Sequence, residues 1–246
     1  MKRVFTLAIL FFLFQHPFVM GQRISDHNTI GWYTTTITPK FSDKWSGHFE
    51  YQWRRTHVVQ NWQQSLLRVG ATYKINKDVS AQVGYAWART FDYGEYFLSS
   101  VNKTFDEHRM YEQIVLNTSF GKLKYSTRFR LEQRWLAVYN TIDDDKPARW
   151  NYLNRFRLMP RFDLPIGKKG LYVAAYDEIM LGFGSNVGQN VFDQNRVGLM
   201  AGYTFSPKFR LEGGYLNQTV QFGRQIDKQN VFQYNNGIIL NTYINF

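Results

Sequence analysis

Residues 45–54 read WSGHFEYQWR, and every second side chain in this stretch is apolar or small. Trp45, Phe49 and Trp53 fall on one face of an extended chain, whereas Ser46 and Glu50 fall on the other. A period of two residues indicates a β-strand with one apolar and one polar face. The same alternation recurs over residues 79–87 and 123–135. The chain is therefore predicted to be all-β.

Eleven segments of this kind can be counted, and they are long. They lie near residues 28–37, 45–57, 63–75, 79–91, 108–120, 122–136, 150–163, 171–183, 194–205, 209–222 and 236–246. Strands of soluble proteins usually hold about 5 or 6 residues, whereas about 9 to 11 are needed to cross a bilayer at a tilt. The lengths favour strands that cross a membrane.

The connections between these segments alternate in length. Short turns fall at residues 76–78, 121–122, 167–170 and 206–208, and longer polar loops at 92–107, 137–149, 184–193 and 223–231. Short turns on one side and long loops on the other are typical of outer-membrane barrels. We therefore predict a transmembrane antiparallel β-barrel in the bacterial outer membrane. Because single-chain bacterial barrels have even strand numbers, twelve strands are expected, with a short extra strand within residues 23–29, and ten are the alternative.

The first residues have the pattern of a targeting segment. Lys2 and Arg3 form a basic start, residues 4–14 an apolar run, and residues 19–21 precede a cleavage point ahead of Gln22. This matches a secretory signal peptide and is too short for a membrane helix of about 20 residues. We predict a signal peptide over residues 1–21 and an outer-membrane β-barrel over residues 22–246, with no transmembrane helix in the mature chain.

The composition excludes several classes. The 246 residues include no Cys, which excludes disulfides and thiolate metal sites, and 18% aromatic residues, which excludes a disordered chain. The length fits one large all-β domain or two small ones. A secreted β-sandwich would also alternate, but so many Trp, Tyr and Phe side chains would overfill its core.

The last strand favours the barrel over the sandwich. Residues 238–246 alternate up to a terminal Phe246. A C-terminal aromatic residue on such a strand resembles the recognition signal of outer-membrane barrel assembly. We therefore expect the lipid bilayer and, through Phe246, the barrel assembly machinery to be partners.

Several short motifs also resemble a known family. These are residues 107–113 (EHRMYEQ), 128–135 (RFRLEQRW), 152–157 (YLNRFR), 176–178 (YDE) and 83–85 (VGY). They are similar to a bacterial outer-membrane β-barrel family catalogued as a domain of unknown function. The resemblance spans most of the mature chain. It implies a porin-like barrel and its location, and it brings no established activity.

The polar face of such a barrel lines its lumen, and here it is rich in arginine. The candidate lumen residues are Glu50, Arg54, Arg68, Arg128, Arg130, Glu132, Arg134, Arg155, Arg157, Arg161 and Glu178. Further inward-facing residues are expected to be Lys74, Lys124, Arg196, Arg210, Glu112 and Glu212.

Two interpretations of this face remain open. In the first, Arg and Glu side chains interlock and fill a closed structural or interaction barrel, which acts through its loops. In the second, arginines on residues 128–134 and 155–161 form a positive track that passes small anionic solutes. The second arrangement is similar in architecture and charge to small porins that pass acidic oligosaccharides along arginine tracks.

An enzyme directed at lipids is a third and weaker hypothesis. His48 is expected to face inward beside Glu50, with Ser46 two positions earlier, and His108 is expected at a barrel rim. Side chains two positions apart on one strand face are about 7 Å apart and do not touch by default. The sequence has no Gly-x-Ser-x-Gly or His-Glu-x-x-His motif. No catalytic residues are assigned.

The remaining features yield weaker expectations. Residues 143–145 are three Asp in a loop without the spacing of a calcium site. No metal or other cofactor is expected, and export argues against nucleic acid despite a pI of about 9.7. Arg55 and Arg89 are expected to reach lipopolysaccharide phosphates. Aromatic residues in the 92–107 loop are expected to bind a ligand or to fold back as a plug.

Overall fold

A single sheet closed on itself makes up the described part of the chain. The computed structural model describes residues 23–167 and 169–246, so the expected signal peptide lies outside the described residues. The strands are β1 (Arg23–Thr38), β2 (Trp45–Thr56), β3 (Asn61–Lys74), β4 (Val79–Thr90), β5 (Phe105–Phe120), β6 (Leu123–Val138), β7 (Arg149–Pro165), β8 (Leu171–Phe183), β9 (Phe192–Ser206), β10 (Phe209–Ile226) and β11 (Gln229–Asn245). Within these ranges, no helix is long and apolar enough to span a membrane.

The strand number differs from the sequence prediction. Residues 23–167 and 169–246 form eleven strands, and neither twelve nor ten is observed. Each strand pairs with its sequence neighbour in antiparallel fashion, but β1 pairs with β11 in parallel, from Arg23↔Asn230 to Thr38↔Asn245. When neighbouring strands are antiparallel and their number is odd, the first and last strands run in the same direction. The barrel can then close only if these two strands pair in parallel. Residues 23–29 belong to β1 itself and add no separate strand.

One predicted loop is also wrong. Residues 223–231 continue β10 and β11 into a hairpin whose turn is Asp227 and Lys228, both with positive φ (49° and 62°). Two consecutive residues with positive φ are the geometry of a type I′ turn, whose twist matches that of the flanking strands. This end of the barrel therefore carries longer connections at residues 91–104, 139–148 and 184–191, whereas the opposite end has short turns.

Outward side chains form an apolar surface with aromatic pairs towards each end. Near the short turns these pairs are Trp45–Tyr73, Tyr125–Phe162 and Tyr203–Phe205, and near the loops they are Trp53–Trp62, Trp62–Phe91 and Trp135–Tyr152. Between them lie exposed aliphatic side chains such as Leu67, Val83 and Leu131. The alternation seen in the sequence thus sorts apolar residues to the outside.

Inward tyrosines occupy space that inward glycines leave open. Gly70 and Gly84 are register partners on β3 and β4, and the Tyr111 hydroxyl lies 2.8 Å from the point where a Cβ of Gly70 would stand. Tyr176 lies in the same way against Gly198. These large side chains therefore fit inside the narrow barrel because the neighbouring strands carry glycine beside them.

The parallel contact between β1 and β11 can be tested by cross-linking, because the chain has no Cys of its own. Thr35 and Thr242 are register partners across it, so a Thr35→Cys, Thr242→Cys double variant should form an intramolecular disulfide on mild oxidation. In the control, Thr35→Cys is combined with Asn236→Cys. Asn236 pairs with Thr29 and lies about 20 Å along the strand from Thr242. Non-reducing gels of the folded protein would contradict the parallel pairing if the control pair cross-linked and the first pair did not.

Candidate lumen site

The predicted positive track does lie on neighbouring strands. β6 and β7 pair directly, with Glu132 opposite Arg155 and Arg130 opposite Arg157. The Glu132 carboxylate accepts hydrogen bonds from Arg155 Nε at 2.8 Å and Arg157 Nη1 at 2.7 Å, and its side chain is 1% exposed. Alternating charges across one strand pair thus produce interlocked ion pairs instead of a row of free cations.

The ion pairs continue around the barrel wall. Arg157 Nη2 donates to Glu178 on β8 at 2.7 Å, and Arg128 Nη2 donates to the same carboxylate at 2.5 Å. Arg155 Nη1 donates to Asp193 on β9 at 2.6 Å. Because guanidinium groups present donors in several directions, each one can link carboxylates on different strands. The lumen therefore contains a continuous network of charged side chains.

Towards the loops, Glu107 on β5 extends this network. Its two carboxylate oxygens accept from Arg109 Nε and Nη2, both at 2.7 Å, and Arg134 Nε donates to it at 2.5 Å. Glu107 is 2% exposed. On the other wall, Glu50 pairs with Arg68, and His48 Nε2 lies 3.4 Å from Glu50.

This central network holds more positive than negative groups. Its nine arginines are Arg54, Arg68, Arg109, Arg128, Arg130, Arg134, Arg155, Arg157 and Arg196, and its five carboxylates are Glu50, Glu107, Glu132, Glu178 and Asp193. Several carboxylates are shared by two or three guanidinium groups. The interior thus has an excess of buried positive charge.

A separate cluster lies nearer the short turns. Arg161 donates to Asp163 at 2.6 Å and to Glu212 at 2.7 Å. Tyr172 and Tyr243 donate their hydroxyls to Glu212 at 2.7 and 2.8 Å. This cluster borders a cavity of about 730 Å³ at the short-turn end, which we call the lower cavity. The lower cavity also contacts Arg128 and Arg210.

Two further cavities lie on the loop side of the network. One of about 370 Å³ borders Glu107, Arg134 and Asp193, and one of about 40 Å³ borders Arg54, Arg109, Arg155 and Arg196. These two share Gln64, Thr90 and Arg109, whereas neither shares a residue with the lower cavity. Arg130, Glu132 and Arg157 therefore lie in the layer that separates the two ends of the lumen.

The loop of residues 91–104 crosses the mouth of the barrel. Asn235 on β11 donates to the Tyr93 hydroxyl at 3.1 Å, and Arg224 on β10 donates to the Phe97 carbonyl at 2.8 Å. These strands lie across the barrel from β4 and β5, which the loop joins. Burial raises the pKa of Tyr93 to about 12, so its phenol stays neutral at physiological pH. We call this segment the mouth loop; ligand binding and plugging by its aromatics both stay predictions.

All eleven candidate lumen residues contribute polar groups to the interior, but the sequence interpretation missed several partners. The prediction that Glu112 faces inward is wrong, because the structure places it on the outer face, hydrogen-bonded to Gln133 at 3.2 Å, and directs Glu107 and Arg109 into the lumen. Met110 and Ile114 carry the signal that could have set this phase, since both are apolar and lie two positions either side of Glu112. Asp193 was missed because it fell in a predicted loop.

Of the residues considered for other chemistry, His48 contacts Glu50, against the expectation from their spacing, whereas His108 lies apart from both. His108 is on the outer face and contacts the Tyr85 hydroxyl at 2.5 Å, whereas His48 is inside. Asp144 accepts hydrogen bonds from the backbone and side chain of Thr141, which hold the pKa of its carboxyl below the usual value. Within residues 23–167 and 169–246, no group of three or more His, Asp or Glu could hold a metal ion.

Comparison with known proteins identifies a family and two similar folds. The sequence profile described as "Protein of unknown function (DUF2490)" matches residues 29–230, which confirms the family resemblance of the motifs. The porin NanC is similar at 11% identity and a TM-score of 0.44, over 78% of this chain and 86% of that chain. A second porin is similar at 12% identity and a TM-score of 0.36, over 86% of this chain and 60% of that chain. No curated protein matches the chain.

Removing the charge of Glu132 should destabilise the barrel strongly. The Glu132→Gln variant leaves Arg155 and Arg157 without their shared counter-charge, and breaking a buried ion pair from one side costs about 3–5 kcal/mol. Glu112→Gln is the matched control, because that carboxylate lies on the outer face and has no arginine partner among the described residues, so its neutralisation should not destabilise the barrel. Denaturant unfolding of both variants in the same lipid or detergent measures the difference. Equal effects would contradict the network.

A bulky side chain at Gly94 should release the mouth loop. Gly94 has φ +79°, and a Cβ there would meet Gln233 Nε2 at 2.9 Å as well as Asp26. Gly188 has φ +55° with open space around it, so Gly188→Val carries comparable backbone strain without the clash. We expect faster trypsin cleavage after Lys103 in Gly94→Val than in Gly188→Val or the unaltered protein. Equal cleavage rates would show that the loop is not held by these contacts.

Proposed function

The chain belongs to this family of unknown function, and we propose that its barrel lies in the bacterial outer membrane as a narrow channel that prefers small anions. The observation that carries the proposal is the central network, in which nine arginines face five carboxylates. A positive constriction in a narrow lumen favours anions over cations.

The outer surface of the barrel supports the proposed location in the outer membrane. Exposed aliphatic side chains lie between two sets of aromatic pairs, as in barrels whose apolar band is flanked by aromatic girdles. The short turns would then face the periplasm and the longer loops the exterior. Phe246 is 67% exposed and available to an assembly machinery. Arg55 lies over the rings of Trp53 and Trp62 at 5.0 and 4.6 Å, where it can meet lipopolysaccharide phosphates.

The shape of the lumen supports the proposal that the solutes are small. Cavities reach the charged layer from the short-turn end and from the loop end. The layer between these cavities consists of side chains. A change of their rotamers could open a passage without a change in the strands. Because the layer is crowded, we expect a low conductance and exclusion of large sugars.

A closed barrel is the second candidate function. The interlocked Arg and Glu side chains fill the central layer, and the mouth loop is hydrogen-bonded to the opposite wall. A barrel sealed in this way would act through its loops or its outer surface. The same recording separates the two candidates.

Single-channel recording of the refolded protein in a planar bilayer tests the proposal. We expect small, stable current steps and a reversal potential in a salt gradient that indicates anion preference. The double variant Arg128→Gln, Arg130→Gln should lower this preference, because Arg130 lies in the layer between the cavities and Arg128 borders the lower cavity.

The matched control is Arg55→Gln, which removes an arginine from the outer surface. It should leave selectivity unchanged. A bilayer that stays silent although the barrel is folded by heat-modifiable gel mobility would overturn the channel and favour the closed barrel.

A further inference from the structure

Arg54 differs from the other arginines of the central network because it lacks a carboxylate partner. It is 5% exposed, and its guanidinium donates to Gln52 at 2.8 Å from Nε and to Gln64 at 2.7 Å from Nη1. Among the residues that the structure describes, no acidic group lies within 4.0 Å of it. Amide oxygens satisfy the donors but do not cancel the charge, and an uncompensated buried charge is costly.

Arg196 brings a second positive charge to the same place. The Cζ atoms of Arg54 and Arg196 lie 3.8 and 4.8 Å from the centre of the Trp32 ring. Arg196 is 7% exposed, its closest carboxylate is Glu178 at 3.7 Å, and its Nε has no hydrogen-bond partner within the described residues. Glu178 is already shared with Arg128 and Arg157. Two like charges thus share one indole ring with little compensation.

These two side chains border the cavity of about 40 Å³, together with Arg109 and Arg155. Arg109 pairs with Glu107, and Arg155 pairs with Glu132 and Asp193, but none of these carboxylates borders the cavity. The rest of the lining is uncharged and consists of Gln63, Gln64, Thr90, Tyr93, Leu98, Gln194, Gln218 and Val220. Four guanidinium groups and no carboxylate therefore line the cavity.

We infer that this cavity is a binding site for one small monovalent inorganic anion, such as chloride, bromide or nitrate. A water molecule needs about 10–15 Å³ of cavity volume, so a cavity of about 40 Å³ has room for one small ion. The anion supplies the counter-charge that Arg54 and Arg196 lack. The inference goes beyond the proposed channel, because a sealed barrel would hold the same ion as a structural counter-ion.

Bromide is the probe, since it can be located by its anomalous scattering. Crystals of the full barrel grown in sodium bromide should show an anomalous peak between Arg54 and Arg196. Absence of a peak in this cavity, in a map that shows bromide elsewhere, would overturn the site. This measurement needs no variant and no ion current, so it is independent of the outcome in the bilayer.

A titration of thermal stability tests the role of Arg54. The protein is melted in detergent with sodium bromide replacing sodium gluconate at constant ionic strength, because an anion that binds only the folded state raises the melting temperature. We expect a bromide-dependent rise in the unaltered protein and its loss in Arg54→Gln. The control Arg210→Gln removes an arginine that lies over Tyr243 in the lower cavity, and it should keep the rise.

The Arg54→Gln variant should also change the melting temperature in the absence of bromide. Arg54→Gln should melt at a higher temperature than the unaltered protein in gluconate, because it removes an uncompensated charge. A bromide response in Arg54→Gln equal to that of the unaltered protein would overturn the site. Arg196→Gln provides the same test if Arg54→Gln does not refold.

Discussion

Closure of the sheet through the parallel pair of β1 and β11 is the constraint on which the rest of the structure depends. A closed sheet has no free edge, so its backbone groups are paired around the whole circumference. Closure with eleven strands also fixes a narrow interior, and the polar face of every strand must then find partners inside it. Arg155 meets Glu132 and Asp193 for this reason, and Tyr111 fits only against Gly70 and Gly84.

Charge compensation inside this narrow space is incomplete, and this links structure to function. Guanidinium groups outnumber carboxylates, so Glu178 and Glu107 are each shared among several arginines. Sharing stabilises the layer that divides the lumen, and the remaining positive charge is the basis of the proposed anion preference. The two interpretations of the arginine face therefore describe one arrangement. Whether solutes cross it depends on how readily the side chains of this layer change rotamer.

The two ends of the barrel are built differently. The end with short turns opens onto the lower cavity, where Arg161, Asp163 and Glu212 compensate one another. At the other end the mouth loop is fixed to the opposite wall by Asn235 and Arg224. The mouth loop therefore lies over the charged network at the loop end, whereas at the other end the lower cavity reaches Arg128 directly.

Alternation with a period of two sorts side chains between two faces, so it was enough to predict the all-β class, the strand positions and the inward direction of Glu132, Arg155 and Arg157. It did not predict the phase of β5, where Glu112 interrupts an apolar face, nor the continuation of β10 through residues 223–226. The strand number and the partners of each charge become defined only in the folded barrel. Both depend on which strands become neighbours when the sheet closes, and contacts such as Arg155 with Asp193 join residues 38 positions apart, a distance at which the local pattern carries no information.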